Sequence, residues 1–140
     1  MLAGNCWLLK LTPNEPRPHL WIVTLDPDVD GRTILVNVST VRGGCDQTIL
    51  LAKNEHPFLW KDSFVSYMDA LIVTVSSLTQ RIAEEGQSAV PQPQLSSHLL
   101  ALVCSGISAS EQTPKKVFKY YAARKSQAFP ANSSKISHAG

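Results

Sequence analysis

The spacing of hydrophobic and polar residues changes once along the chain, near Ser76. Before that point the apolar residues come in short, dense runs: Cys6 to Leu11, HLWIVTL at 19–25, TILVNVST at 33–40, Gln47 to Leu51 and ALIVTV at 70–75. Short runs rich in β-branched and aromatic residues, bounded by turn formers, predict strands. The first run stops at TPNEPRP, whose three prolines exclude a helix. DPDVDG at 26–31 opens a turn at Asp26-Pro27, and Asp30-Gly31 tolerates positive φ, so residues 19–40 form a predicted hairpin. Gly43-Gly44 breaks the chain again. Five short strands with turns between them point to a small curved sheet or barrel.

Beyond Ser76 the spacing becomes helical. Leu78 and Ile82 belong to an amphipathic helix entered from Ser76 or Ser77 and closed near Gly86. SAVPQPQ reads as a linker, assigned to residues 87–94. Apolar residues at 95, 99, 102 and 103 predict a helix over Leu95 to Ile107. Pro114 suits the first turn of a further helix, KKVFKYYAARK, with Val117, Tyr120 and Tyr121 on one side. The predicted class is mainly β with two or three C-terminal helices (α+β). A β-barrel body covers 1–86, a helical extension covers 95–125, and residues 126–140 form a patternless basic tail expected to be disordered.

Composition narrows the class. The chain has 140 residues, 44% of them hydrophobic and 17% charged, which suits one globular domain with its own core. Cys6, Cys45 and Cys104 are odd in number and far apart, as expected of reduced thiols in a cytoplasmic protein. Met1 to Trp7 lacks the basic start and long apolar run of a signal peptide, and the block Leu99 to Cys104 is too short to cross a bilayer, so no membrane partner is expected. The net charge of +2 conceals an asymmetry: residues 1–112 carry seven basic side chains against eleven acids, while residues 113–140 carry six basic side chains and no acid. A basic end on an acidic body either recruits a polyanion or folds back on the body.

Phosphate-cradling glycine loops, paired zinc cysteines, HExxH and GxSxG are all missing from the sequence. The histidines at 19, 56, 98 and 138 are scattered, so neither a metal nor another cofactor is expected. Instead, the hairpin concentrates polar residues at one edge. Arg17 and His19 open its first strand, while Thr40 and Arg42 close its second, and antiparallel pairing sets a strand's start beside its partner's end. Two cations with a hydroxyl can hold a phosphodiester and stabilise charge developing on it. The plainer alternative is that Arg17 is a surface residue in a proline turn and Thr40 merely ends a strand.

The run RPHLWIVTLDPDVDGRTILVNVSTVR resembles the start of the PemK/MazF-like toxins of bacterial toxin–antitoxin pairs. There an Arg-Pro opens an apolar strand and a second apolar strand ends in threonine, positions filled here by Arg17-Pro18 and Thr40. EHPFLWKDSFVSYMDALIV is similar to a stretch of a divergent branch, through His56-Pro57-Phe58, Ser63 and Tyr67. The likeness spans residues 17–75, although the loop TPNEP lacks the glycine usual before that Arg-Pro. It implies an SH3-like barrel, often a homodimer, that cleaves single-stranded RNA without a metal by attack of the 2′-hydroxyl on its own phosphate. It gives Arg17 the stabilisation of the phosphorane-like charge, with protonation of the leaving oxygen as a second role, and gives Thr40 a phosphate oxygen. It names no general base. His19 and His56 are the candidates, because imidazole exchanges protons near neutral pH.

The segment NEHPFLWKDSFVSYMDA, at 54–70, is polar and aromatic at once. Arg42, Lys61, Ser63 and Tyr67 are candidates for binding phosphate and sugar, with Trp60 and Phe64 as faces for unpaired bases. Phe58, Phe64 and Val65 also fit a core, His56 also fits a hydrogen bond to a loop carbonyl, and Trp60 fits a core or a partner surface equally. The expected function is therefore an endoribonuclease toxin with single-stranded RNA and an antitoxin protein as partners. The alternative is a non-catalytic module on the same barrel that binds a nucleic acid or a protein such as a topoisomerase, or serves as an accessory protein of a mobile element.

Overall fold

A computed structural model of the chain describes residues 1–11 and 15–128. Six antiparallel strands make one curled sheet: β1 (Cys6–Leu9), β2 (His19–Val23), β3 (Arg32–Thr40), β4 (Leu50–Leu51), β5 (Ser63–Thr74) and β6 (Val90–Gln92), in the order β4-β5-β3-β2-β1-β6. Three helices complete the fold: α1 (Val75–Glu85), α2 (Ser97–Ala109) and α3 (Lys115–Ala128). This is the mainly β, α+β class that the spacing predicts.

The central strands look uniformly apolar because both their faces are covered. Leu20 and Ile22 of β2 join Ile34, Val36 and Val38 of β3 in one core, closed by Leu99, Val103 and Ile107 of α2 and by Val117 and Tyr121 of α3. The alternate residues Trp21, Val23 and Leu35 face the other way, against Leu78 of α1. Each aliphatic side chain buried in this way contributes roughly 1.5–3 kcal/mol.

β5 runs beside the whole of β3, but the pairing slips between them. Asn37 lies opposite Ser66 and Leu35 opposite Leu71. The bulge switches the inward alternation, so Val65 and Tyr67 are followed by Ala70 and Ile72 on the same face. It also pushes Met68 and Asp69 out to solvent.

Several boundaries differ from the sequence reading. β5 starts at Ser63, inside the polar and aromatic segment 54–70, rather than at Ala70 where the apolar run begins. The assigned linker contains β6, which pairs with β1 and leaves its own far side as the sheet edge, where Pro91 is tolerated. Helix α1 begins one residue before Ser76, with the Thr74 hydroxyl accepting from the Ser77 N–H. Leu95 precedes α2, which is capped by Ser96. α3 runs to Ala128, three residues into the predicted tail, and the rest of that tail, 129–140, lies outside the described residues.

The basic C-terminal helix is pinned to the hairpin. Tyr120 donates to Asp28 (2.6 Å), and Arg124 donates to the Asp26 carbonyl (2.6 Å) and to Tyr120 (2.9 Å). Asp28 also accepts the Asp30 and Arg32 N–H groups that shape the turn at Gly31. The hydrogen bond from Tyr120, with help from those amides and the Arg32 guanidinium, holds the Asp28 carboxyl well below the usual carboxylate range. Burial, and then the hydrogen bond to Asp28, pushes the Tyr120 phenol up.

Among the described residues no helix is long and apolar enough to cross a membrane. All three cysteines are free, and burial pushes both the Cys6 and Cys104 thiols up to about 11, which keeps them protonated and unreactive.

Candidate functional site

The hairpin register sets the site. Leu20 pairs with Val38, which brings the start of β2 beside the end of β3, and Thr40 pairs with Ser63 at the start of β5. A cleft of about 370 Å³ opens at this end of the sheet. Arg17, His19, Thr40 and Arg42 line one side, and Trp60, Lys61 and Ser63 line the other. Seven of the ten side chains singled out from the sequence thus meet in one depression, all but His56, Phe64 and Tyr67.

Their surroundings divide them by role. Arg17, Thr40, Arg42 and Lys61 are exposed, and among the described residues none of the three cations has a carboxylate within 4 Å. Trp60 is 70% exposed, an unusual position for so large an apolar surface, and the Lys61 ammonium lies 4.5 Å from its ring centre. The Arg42 guanidinium sits 5.1 Å from the ring of Phe64, which is buried and lines neither cleft, so it offers no face for a base. Ser63 is also buried, and its hydroxyl donates to the Lys61 carbonyl, so it shapes the wall. His19 is half-buried, with Nδ1 at 3.7 Å from Glu15.

His56 and Tyr67 do not belong to the cleft. His56 is 3% exposed; its Nδ1 accepts from the Phe58 N–H, which leaves Nε2–H to donate to the Pro93 carbonyl (2.6 Å). With both ring nitrogens occupied, it ties the loop 52–60 to the chain before α2 and has no free lone pair for a proton. Tyr67 is fully buried, donates to the Val103 carbonyl and packs against Gly106, and burial pushes its phenol strongly up. Both positions turn on helix α2 and the chain leading to it, which no motif near residue 60 reveals.

A larger cleft of about 990 Å³ adjoins the first and shares His19, Ser39 and Arg42 with it. Trp21 and Asn37 form its floor, Met68 and Asp69 of the β5 bulge form one wall, and Lys115 and Lys116 stand at its margin. Trp21 and Asn37 carry no motif in the sequence beyond a single carboxamide inside the apolar run ILVNV.

The fold and site define a class: a small curled β-sheet protein with an open cationic and aromatic cleft at one sheet end. Compared with family models, curated proteins and solved structures, the chain matches none.

Proposed function

We propose that the protein is a metal-independent endoribonuclease of the toxin type, acting on single-stranded RNA in the cleft at the end of β2 and β3. The carrying observation is the meeting of three cations (Arg17, Arg42, Lys61), without carboxylate partners among the described residues, with an exposed Trp60 around the Thr40 hydroxyl and the His19 imidazole. Cations track the phosphates of a flexible strand while an aromatic face stacks an unpaired base.

The chemistry needs few groups. His19 takes the proton from a ribose 2′-hydroxyl, whose oxygen attacks the adjacent phosphorus. The bond from phosphorus to the 5′-oxygen breaks, leaving a 2′,3′-cyclic phosphate; the departing 5′-oxygen takes a proton from water, which the His19 imidazolium replaces, so the imidazole is regenerated. Arg17 balances the charge on the pentacoordinate centre and Thr40 donates to one of its oxygens. An antitoxin segment that covers the cleft would regulate the activity, and a second copy of the chain would complete a dimer.

The test is incubation of long single-stranded RNA with protein in excess EDTA, alongside Arg17→Ala, with the fragment ends mapped. Discrete cuts ending in cyclic phosphate are expected, falling by about 100-fold or more in the variant, as for loss of one transition-state charge partner. Intact RNA with folded protein overturns the assignment. One observation favours a second reading, that of a non-catalytic binding module: the locked ring of His56 leaves His19 as the sole imidazole in the cleft among the described residues. Under that reading RNA is bound and stays whole.

A further inference from the structure

The larger cleft contains an unusual concentration of unmet hydrogen-bonding capacity. Trp21 and Asn37 are cross-strand partners on the same face of the sheet, and each is only 3% exposed. Among the described residues, the indole N–H of Trp21 and the Oδ1 of Asn37 nevertheless have no hydrogen-bond partner, and neither has the Nδ1 of His19, two residues from Trp21 on β2, whose Glu15 neighbour at 3.7 Å is beyond hydrogen-bond reach. Buried polar atoms in folded proteins are almost always hydrogen-bonded, so an unmet donor and an unmet acceptor on paired residues that line one cleft require an explanation.

We propose that this pair reads a nucleobase. A base carries adjacent donors and acceptors on a flat edge, which suits a floor offering one N–H and one carboxamide oxygen. Its apolar faces match the exposed side chains of Met68 and Leu71, which the β5 bulge places on the cleft wall. The attached phosphate has a site too, because Arg42 lines both clefts and stands at their junction. Lys115 and Lys116 add positive charge at the margin. A nucleotide therefore fits with its base on Trp21 and Asn37 and its phosphate at Arg42.

The base comes either from a free nucleotide or from one unit of a bound strand, and we assign it to the strand. The inference deepens the proposed function and rests on it for that assignment. Trp21 and Asn37 are then specificity residues that select which base lies beside the phosphate held by Arg17 and Arg42.

The test is equilibrium binding of four 2′-O-methyl homo-oligonucleotides, which resist cleavage, and of the four nucleoside 5′-monophosphates. The full chain is compared with Asn37→Leu and Trp21→Phe, each first checked for folding by circular dichroism. Asn37→Leu removes the carboxamide, and Trp21→Phe removes the indole N–H with least change of shape, so one variant serves if the other fails to fold. The expected result is a preference of the unmodified chain for one oligonucleotide by about tenfold or more, as for a well-made base contact. Either substitution should level the four affinities while retaining the salt-dependent component common to all. Equal binding of all four by the unmodified chain, or an equal loss for all four in the variants, overturns the base-reading pair and leaves the strand-binding cleft in place. Binding of one monophosphate but of no oligonucleotide, abolished in Asn37→Leu, retains the base site and overturns the strand as its source. Failure of every ligand to bind overturns both.

Discussion

Tyr67 and His56 illustrate how burial decides what a polar side chain does. Each lies within a few residues of Trp60 and Lys61 in sequence, yet each donates to a backbone carbonyl far along the chain, at Val103 and Pro93. Tyr67→Phe is expected to cost about 1 kcal/mol of stability, the net worth of a typical hydrogen bond, and to leave RNA affinity unchanged. Denaturant unfolding paired with a binding titration checks both halves, and a loss of affinity at unchanged stability would return Tyr67 to the site. Arg17, His19, Thr40 and Arg42 behave differently. Their meeting was legible because a hairpin with one recognisable turn brings its outer ends together whatever packs on it. The burial of His56 and Tyr67 was not legible, because it depends on where α2 lies, and a helix contributes no signal to the strand it covers.

Among the elements, α2 contains a constraint visible only in three dimensions. A Cβ at Gly106 would run into the hydroxyl and ring of Tyr67, so the glycine lets α2 approach β5. Replacing a mid-helix glycine with alanine normally favours the helix. Here Gly106→Ala is expected to destabilise by about 1–3 kcal/mol through overpacking. A lower denaturant midpoint at unchanged slope is the signature, and a raised midpoint would contradict the packing. The contact between α3 and the hairpin yields a second expectation. The Asp28 carboxyl is lowered, so its stabilising contribution is complete above about pH 4 and lost as pH falls through that lowered range. The Tyr120 phenol is raised, so its contribution is complete below about pH 10 and lost as pH rises beyond. The difference in melting temperature between the unmodified chain and Tyr120→Phe should be level between these limits and shrink on the acid side. A difference that grows with acidification would refute the pairing. The elements themselves were largely legible, strands from dense apolar runs and helices from spacing and caps. β6 was not, since VPQ has neither alternation nor length and becomes a strand only because β1 lies beside it.

At the scale of the whole molecule, the charge asymmetry acquires a layout. The acidic body and basic end meet where Arg124 caps the hairpin, so part of that basic charge holds α3 down and is not free for a polyanion. Lys115 and Lys116 instead stand beside the larger cleft, across from the cations of the smaller one. Because Arg42 lines both clefts, the proposed function makes them one path for a strand across the sheet end, with Arg42 at its middle. Cleft cations neutralise phosphates directly, so RNA affinity should fall steeply with salt, and Arg42→Gln should reduce the slope of log affinity against log salt by about 0.7. An unchanged slope would remove Arg42 from the path.

The most direct test of the central claim is chemical-shift mapping of isotope-labelled protein during titration with a non-cleavable single-stranded RNA oligonucleotide. Perturbations should concentrate at residues 17–21, 37–42, 58–63 and 115–116, including the Trp60 and Trp21 indole N–H signals, and should spare the ring of His56. Saturating RNA that leaves the 17–42 and 58–63 signals in place, or perturbs only the exposed lysines of α3, would show that the sheet end is not an RNA site.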